Sequence, residues 1–234
     1  MIEFSRISYI VIIIAMASVP FYMFATYYFA GAGRRQALAM TVGLIAYATI
    51  MIWFVEQGQF LFSNPYVMPS VMLASLAIPS FLVLWRPKYF VPQGIGIGWL
   101  LGVQAFRLIG GLYILEFFRG NVGSTFAYWA GIGDVATGIA ASLLLVMYLF
   151  TKRMPRLAIL ATILFGIADF AWAYTFGVLS FETPLQIFAV DEIHATNLFP
   201  LAMIPFLLAP IAMAFMVMTL IKLKMIDGNQ IYRS

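Results

Sequence analysis

Long apolar runs, separated by short polar connections, cover most of the chain. An α-helix needs about 20 apolar residues to cross the hydrocarbon core of a bilayer. Seven runs come close to that length, at about residues 7–29, 37–55, 66–85, 94–118, 126–150, 157–179 and 198–221. The pattern predicts an all-α, polytopic membrane protein with seven transmembrane helices, forming a single integral membrane domain over residues 1–234. Prolines in the third and seventh runs are expected to make those helices irregular.

The basic residues are distributed unevenly between the two predicted sides of the membrane. Ten lysines and arginines follow runs one, three, five and seven, whereas the opposite side carries only Arg6 and Arg119. Cytoplasmic loops are enriched in Lys and Arg, so we expect the N-terminus outside and the C-terminus inside. The first run continues past Ala15-Met16-Ala17, which resembles a signal-peptide cleavage site, to Tyr28. We therefore expect an uncleaved first span.

The composition excludes several classes of protein. Hydrophobic residues make up 64% of the chain and charged residues 9%, against about 25% charged in soluble domains. The chain contains no cysteine and a single histidine, which argues against iron–sulfur clusters and bis-histidine haem within one chain. No lysine lies in the middle of a run, which argues against a retinal Schiff base. The net charge of +4 reflects basic loops beside membrane spans, so we expect no nucleic-acid partner. The identity of any cofactor stays open.

Three charged residues lie near the middle of consecutive runs. Arg107 is in the fourth run, with Gln104 one turn before it, and Asp134 and Asp169 are in the fifth and sixth. At about 1.5 Å of rise per residue, all three charges fall at similar depths in the middle to outer part of the membrane. Small residues share a helix face with each aspartate, a pattern typical of closely packed helices. We therefore expect Arg107, Asp134 and Asp169 to meet in the bundle.

Two interpretations of this cluster stay open at the level of sequence. It is either a structural ion-pair network that fixes the helix register, or a site in which Arg107 holds an anionic group or gates a proton carried by an aspartate. One arginine against two aspartates leaves a surplus carboxylate. That carboxylate is protonated, binds a cation, or is screened by Gln104 and water.

Three further residues are secondary candidates for ligand or proton binding: Glu56, Glu116 and His194. The two glutamates belong to the acidic outer side, and His194 follows Asp191 and Glu192 in the longest connection. A histidine beside carboxylates suits a divalent ion or a pH sensor, but a solvated interfacial histidine is the simpler interpretation. We therefore predict no metal site and no catalytic residue. Because His194 has no second catalytic group beside it, an enzyme is the least favoured class.

Three stretches carry a loose resemblance to known sequences: FRLIGGLYI from residue 106, GIGDVATGIAA from residue 131 and NLFPLAMIPFLLAP from residue 197. They resemble a group of uncharacterised bacterial multi-pass membrane proteins. The resemblance implies a bacterial inner-membrane protein and no particular activity.

Two functional hypotheses follow from the sequence. The first is a protein that binds or translocates a small solute or a proton through an outward-facing cavity ending at Arg107, Asp134 and Asp169. The second is an accessory or structural subunit of a larger membrane complex, for example one that carries pigment or quinone. Both require contact with the lipid bilayer, and both are compatible with a membrane-protein partner or a homo-oligomer.

Overall fold

The apolar runs fold into helices, which satisfy every backbone hydrogen-bonding group within the segment, as a hydrocarbon environment requires. The computed structural model describes residues 3–56, 66–124, 127–180, 186–187 and 196–226, without the side chain of residue 68. Within these ranges the α-helices are α1 Arg6–Phe29, α2 Arg34–Glu56, α3 Val67–Trp85, α4 Pro87–Phe90, α5 Ile97–Ala105, α6 Gly111–Phe118, α7 Ile132–Thr151, α8 Arg156–Ser180 and α9 Ala209–Met225.

Three short helical segments in the described part of the chain are not α-helical. Phe106–Gly110 is a 3₁₀-helix that joins α5 to α6, and Ala127–Gly131 and Ile204–Leu208 are π-helices that lead into α7 and α9. The fourth predicted span is therefore one composite helix, which begins at Ile97 rather than residue 94. Local 3₁₀ and π geometry inside a longer helix frequently accompanies functional sites.

Two prolines explain why the last helix begins later than its apolar run. Regular structure leading into α9 starts at Ile204 rather than near residue 198, after a cis peptide bond between Phe199 and Pro200. Proline lacks an N–H group and crowds the preceding turn, so Pro200 and Pro205 oppose a regular helix over this stretch. The expected irregularity of the seventh run is confirmed. In the third run, by contrast, α3 passes through Pro79 without interruption.

Within the described residues, six helical stretches are long and apolar enough to cross a membrane, which is the composition of a polytopic membrane protein. They are Arg6–Phe29, Arg34–Glu56, Ile97–Phe118, Ala127–Thr151, Arg156–Ser180 and Ile204–Met225. The helix α3 is also apolar but shorter, with 19 residues.

The C-terminal helix forms the centre of the bundle. Within the most apolar 18 residues of Ile204–Met225, 72% of the residues are buried. The corresponding fractions are 22% for α1 and 17% for α2. The helix α9 packs on α3, α5 and α8, while α7 packs on α5, α8 and the 3₁₀ segment. The helices α1 and α2 pack mainly on each other at the periphery. The core therefore lies among α5, α7, α8 and α9.

Contacts between chain segments define two ends of the bundle. At one end Glu116, near the end of α6, accepts hydrogen bonds from Ser5 and Ser8 at the start of α1. At the other end, Gln36 near the start of α2 donates to the carbonyl of Tyr89 after α3, and Lys222 near the end of α9 donates to the carbonyl of Gln93. The start of α1 and the end of α9 thus lie at opposite ends of the bundle.

Candidate functional site

Arg107 joins two aspartates from different helices in the core. Its Nε lies 2.7 Å from Oδ1 of Asp134 on α7, and its Nη2 lies 2.5 Å from Oδ2 of Asp169 on α8. The arginine side chain is 3% exposed, and the two aspartate side chains are 9% and 7% exposed. The predicted meeting of the three charges is confirmed. We call Arg107, Asp134 and Asp169 the Arg–Asp triad.

The remaining surface of the guanidinium is also occupied. Its Cζ lies 3.8 Å from the centre of the Phe170 ring, close enough for a cation–π interaction. Its Nη1 lies 3.9 Å from Sδ of Met216 on α9, a weak acceptor. Asp134, Asp169, Phe170 and Met216 therefore surround the guanidinium in this conformation.

Glycines make this close assembly sterically feasible. A Cβ atom at Gly133 would lie 1.6 Å from Oδ1 of Asp169, and one at Gly166 would lie 2.5 Å from Nη1 of Arg107. A Cβ atom at Gly110 would lie 2.3 Å from Cβ of Asp134. Each of these distances is too short for a real contact. Gly166 belongs to the small-residue face predicted beside Asp169, so that face is one of the surfaces against which the triad packs.

Each aspartate of the triad keeps one oxygen without a hydrogen bond. Among the described residues, Oδ2 of Asp134 and Oδ1 of Asp169 have no partner, because the arginine contacts use the other oxygens. Asp134 lines two cavities of about 30 and 20 Å³. A water molecule needs about 10–15 Å³ of such volume together with polar partners, so the larger cavity has room for about two and the smaller for about one.

Two tyrosines support the irregular start of the central helix. Pro210 has no N–H to donate to the carbonyls about one turn earlier. The hydroxyl of Tyr174 donates instead to the carbonyl of Pro205 at 2.5 Å, and that of Tyr47 donates to the carbonyl of Phe206 at 2.7 Å. The π segment is therefore held in place by side chains from α8 and α2.

Gln104 lies one turn before Arg107 but is not hydrogen-bonded to either aspartate. Its Nε2 donates to the carbonyl of Ala212 at 3.0 Å, while its Oε1 is buried without a hydrogen-bond partner in the described part of the chain. In this conformation Gln104 ties α5 to α9 and does not screen the surplus carboxylate.

The secondary candidates lie apart from the triad. Glu116 is fully buried and accepts hydrogen bonds from Ser8 at 2.5 Å and from Asn121 at 2.7 Å, so it fastens the start of α1 to the end of α6. Glu56 is exposed at the end of α2. His194 lies outside the described residues. Among those that are described, no three His, Asp or Glu side chains are grouped so that they could hold a metal ion.

Sequence reasoning missed the residues that complete the environment of the triad. Phe170 directly follows Asp169, and neighbouring residues on a helix point about 100° apart, so its contact with Arg107 had no signal in helical spacing. Met216 and Tyr174 belong to helices rich in similar residues. The role of Tyr174 as a hydrogen-bond donor could have been predicted in part, because the prolines at 205 and 210 leave backbone carbonyls that need a donor.

Comparison with known proteins assigns a family to this part of the chain. A family model described as a domain of unknown function, DUF8737, matches residues 96–224, more than half of the chain. The chain belongs to the DUF8737 family. The matched region contains the whole Arg–Asp triad and begins just before α5. No curated protein and no solved structure matches the chain.

Proposed function

We propose that this DUF8737 member spans the membrane seven times, with its N-terminus outside and its C-terminus inside. The 19 residues of α3 would extend about 28 Å, close to the roughly 30 Å hydrocarbon core. The contacts at the two ends of the bundle support a crossing by α3. Tyr89, in the short helix α4 that follows α3, accepts a hydrogen bond from Gln36 at the start of α2, and Met72 near the start of α3 lies against Gly177 on α8. Lys and Arg are concentrated at the end of the bundle that holds the start of α2 and the end of α9. This supports an orientation in which that end faces the inside.

We place the protein in the inner membrane of a bacterium. The resemblance of the motifs around residues 106, 131 and 197 to uncharacterised bacterial multi-pass proteins supports this location. A cysteine-scanning experiment would test the orientation, because the chain has no native cysteine. We expect a cysteine at Glu3 to react with an impermeant thiol reagent in intact cells and a cysteine at Lys88 to react only after permeabilisation. The reverse result would contradict the orientation.

The proposed activity is binding of a proton or a small cation at the Arg–Asp triad, for translocation across the membrane. The proposal rests on one observation, which is that the buried carboxylates of Asp134 and Asp169 share the single guanidinium of Arg107. With both aspartates ionised the triad has a net charge of −1 in a medium that penalises uncompensated charge. A proton or a bound cation removes that charge. The free oxygens of Asp134 and Asp169 are the atoms that would receive it.

The same geometry disfavours an anionic solute, the other ligand that the sequence suggested for Arg107. Two guanidinium nitrogens are used by Asp134 and Asp169, and the ring of Phe170 covers one face. The cavity beside Arg107, at about 30 Å³, has room for about two water molecules. An anion would have to displace an aspartate, or Met216 from the third nitrogen, to reach the arginine.

Translocation requires that the triad be accessible first from one end of the bundle and then from the other. The three irregular segments suit this role, because 3₁₀ and π turns have fewer optimal backbone hydrogen bonds than an α-helix and are common at hinges. Arg107 lies within the 3₁₀ segment and Asp134 lies three residues after the first π segment. We assign the aspartates as proton or cation carriers and Arg107 as the group that positions them.

Proton flux into proteoliposomes tests this proposal. The purified protein is reconstituted, an inside-negative potassium diffusion potential is imposed, and lumenal pH is followed with a trapped dye. We expect acidification faster than in empty liposomes, and we expect Asp134→Asn or Asp169→Asn to abolish the difference. Glu56→Gln is the matched control, because this exposed carboxylate lies apart from the triad. Wild-type flux equal to that of empty liposomes would refute proton translocation.

The second candidate function is that of an accessory subunit. An apolar groove of about 610 Å³ between α2 and α3 favours it, because a helix or lipid tail from a neighbouring component would fill that space. Gly43 lines this groove, and a Cβ atom there would meet no other atom within 4 Å. If the groove holds a partner, Gly43→Leu should reduce copurification of a stoichiometric partner from the native membrane. Ala161→Leu, on an exposed face of α8, should not.

A further inference from the structure

A second groove leads from the surface of the bundle to the triad. It has a volume of about 520 Å³ and lies between the start of α7, with its preceding π segment, and α8. We call it the α7–α8 groove. Pockets for small molecules usually measure about 300–1,000 Å³, so its size suits a small organic ligand.

Aromatic side chains make up half of the described residues that line this groove. Tyr128 and Trp129 come from the π segment, and Phe165 and Trp172 come from α8. The rings of Trp129 and Trp172 meet edge to face, with centroids 5.8 Å apart. All four side chains are also about half exposed on the apolar surface of the bundle, so the groove opens where acyl chains would lie.

The only charged side chain among the described residues that line this groove is Asp169. Its side chain is 7% exposed, its Oδ2 is bonded to Arg107, and its Oδ1 has no hydrogen-bond partner in the described ranges. An apolar, aromatic groove thus leads to one unpartnered carboxylate oxygen. A neutral lipid tail in this position would leave that oxygen uncompensated, and an anion would be repelled by it.

We propose that the α7–α8 groove binds a lipophilic organic cation, such as a protonated amine or a quaternary ammonium or phosphonium ion, which enters from the bilayer and pairs with Asp169. Aromatic faces attract such cations through their quadrupoles, and they do so most strongly where water is excluded. This inference rests on the proposed function, because it uses the surplus negative charge of the triad. It adds the class of ligand and the route by which that ligand arrives.

The test uses tetraphenylphosphonium as the probe and the full chain in zwitterionic nanodiscs. Bound probe is measured by equilibrium dialysis, with the amount bound by empty nanodiscs subtracted. We expect saturable binding of one probe per chain, weakened about tenfold or more by Asp169→Asn through loss of the charge pair. We expect Trp172→Leu to weaken binding about threefold to tenfold through loss of a cation–π face. Since Trp172 is half exposed, this second variant is not expected to disturb folding.

Two controls separate specific binding from partition into lipid. Trp53→Leu removes a similarly exposed tryptophan on α2 and should leave the affinity unchanged. Tetraphenylborate has nearly the same shape with the opposite charge, and it should not bind above the level of empty nanodiscs. Binding of both ions alike, or affinities of the Asp169 and Trp172 variants within about twofold of wild type, would overturn the proposal.

The inference and the proposed function can fail separately. Proton flux that depends on Asp169, combined with no saturable binding of tetraphenylphosphonium, would overturn the ligand class and leave proton translocation standing. Saturable binding that requires Asp169 and Trp172, without any proton flux, would support the organic-cation site and refute proton translocation.

Discussion

Replacing Gly133 by alanine is expected to break one arm of the triad without removing any charged group. The added Cβ would lie 1.6 Å from Oδ1 and 2.4 Å from Cγ of Asp169. Ordinary contacts of this kind begin at about 3.4 Å, so the carboxylate has to retreat by roughly 1.5–2 Å. A retreat of that size lengthens the 2.5 Å contact between Asp169 and Arg107 beyond hydrogen-bonding distance.

The expected loss of stability follows from two opposing terms. A hydrogen bond to a charged group contributes about 1.5–3 kcal/mol. Alanine in place of glycine inside a helix returns about 0.5–1 kcal/mol through backbone entropy. The net effect of Gly133→Ala is therefore a destabilisation of roughly 1–2 kcal/mol.

Equilibrium unfolding in mixed micelles, followed by tryptophan fluorescence, measures this difference. The matched control is Gly111→Ala on α6, at the neighbouring interface with α7, where the new Cβ would meet Val135 at an ordinary 3.5 Å. We expect that control to be neutral or stabilising. In an Asp169→Ala background the clash is absent, so Gly133→Ala should lose its cost there. Equal stability of the two glycine variants, or an unchanged cost without Asp169, would refute the reasoning.

The remaining predictions concern residues outside the triad, and each is measured by the same unfolding assay. Glu116→Ala should destabilise the protein by about 3 kcal/mol or more, because it leaves several buried donors unpaired. Glu56→Ala, at an exposed position, should change stability by less than about 0.5 kcal/mol, and equal costs for the two would contradict the buried role of Glu116. Tyr174→Phe should destabilise the protein by about 1–2 kcal/mol, because it leaves the carbonyl of Pro205 without its donor. The control Tyr128→Phe should be neutral. A neutral Tyr174→Phe would contradict the proposed role of Tyr174 in supporting the π segment.

The meeting of Arg107, Asp134 and Asp169 could be predicted from the sequence because two simple constraints combine. A helix rises by a fixed amount per residue, which sets the depth of each charge, and a buried charge in a membrane needs a partner. Gly138 and Gly166 also marked the sides on which the helices approach one another. The helical structure and most helix bounds could also be predicted from the apolar runs, because a helix of fixed rise per residue needs about 20 apolar residues to cross a membrane.

The details that define the chemistry of the site could not be predicted in this way. The contact of Phe170 with Arg107 depends on the rotation of α8, which several apolar faces of similar composition leave undetermined. The hydrogen bond of Gln104 to Ala212 depends on the irregular path of the backbone around Pro205 and Pro210. The α7–α8 groove depends on how far two helices diverge, a distance set by packing and not by spacing along the chain.

The protonation state of the triad is the most direct test of its proposed role. Infrared difference spectroscopy of the ligand-free protein, recorded while the pH is stepped through neutrality, distinguishes a protonated buried carboxyl from a carboxylate. We expect a protonated carboxyl band that is lost in Asp134→Asn or Asp169→Asn and unchanged in Glu56→Gln. Spectra in which both aspartates stay carboxylates throughout, with no band that depends on either residue, would contradict proton binding at the triad.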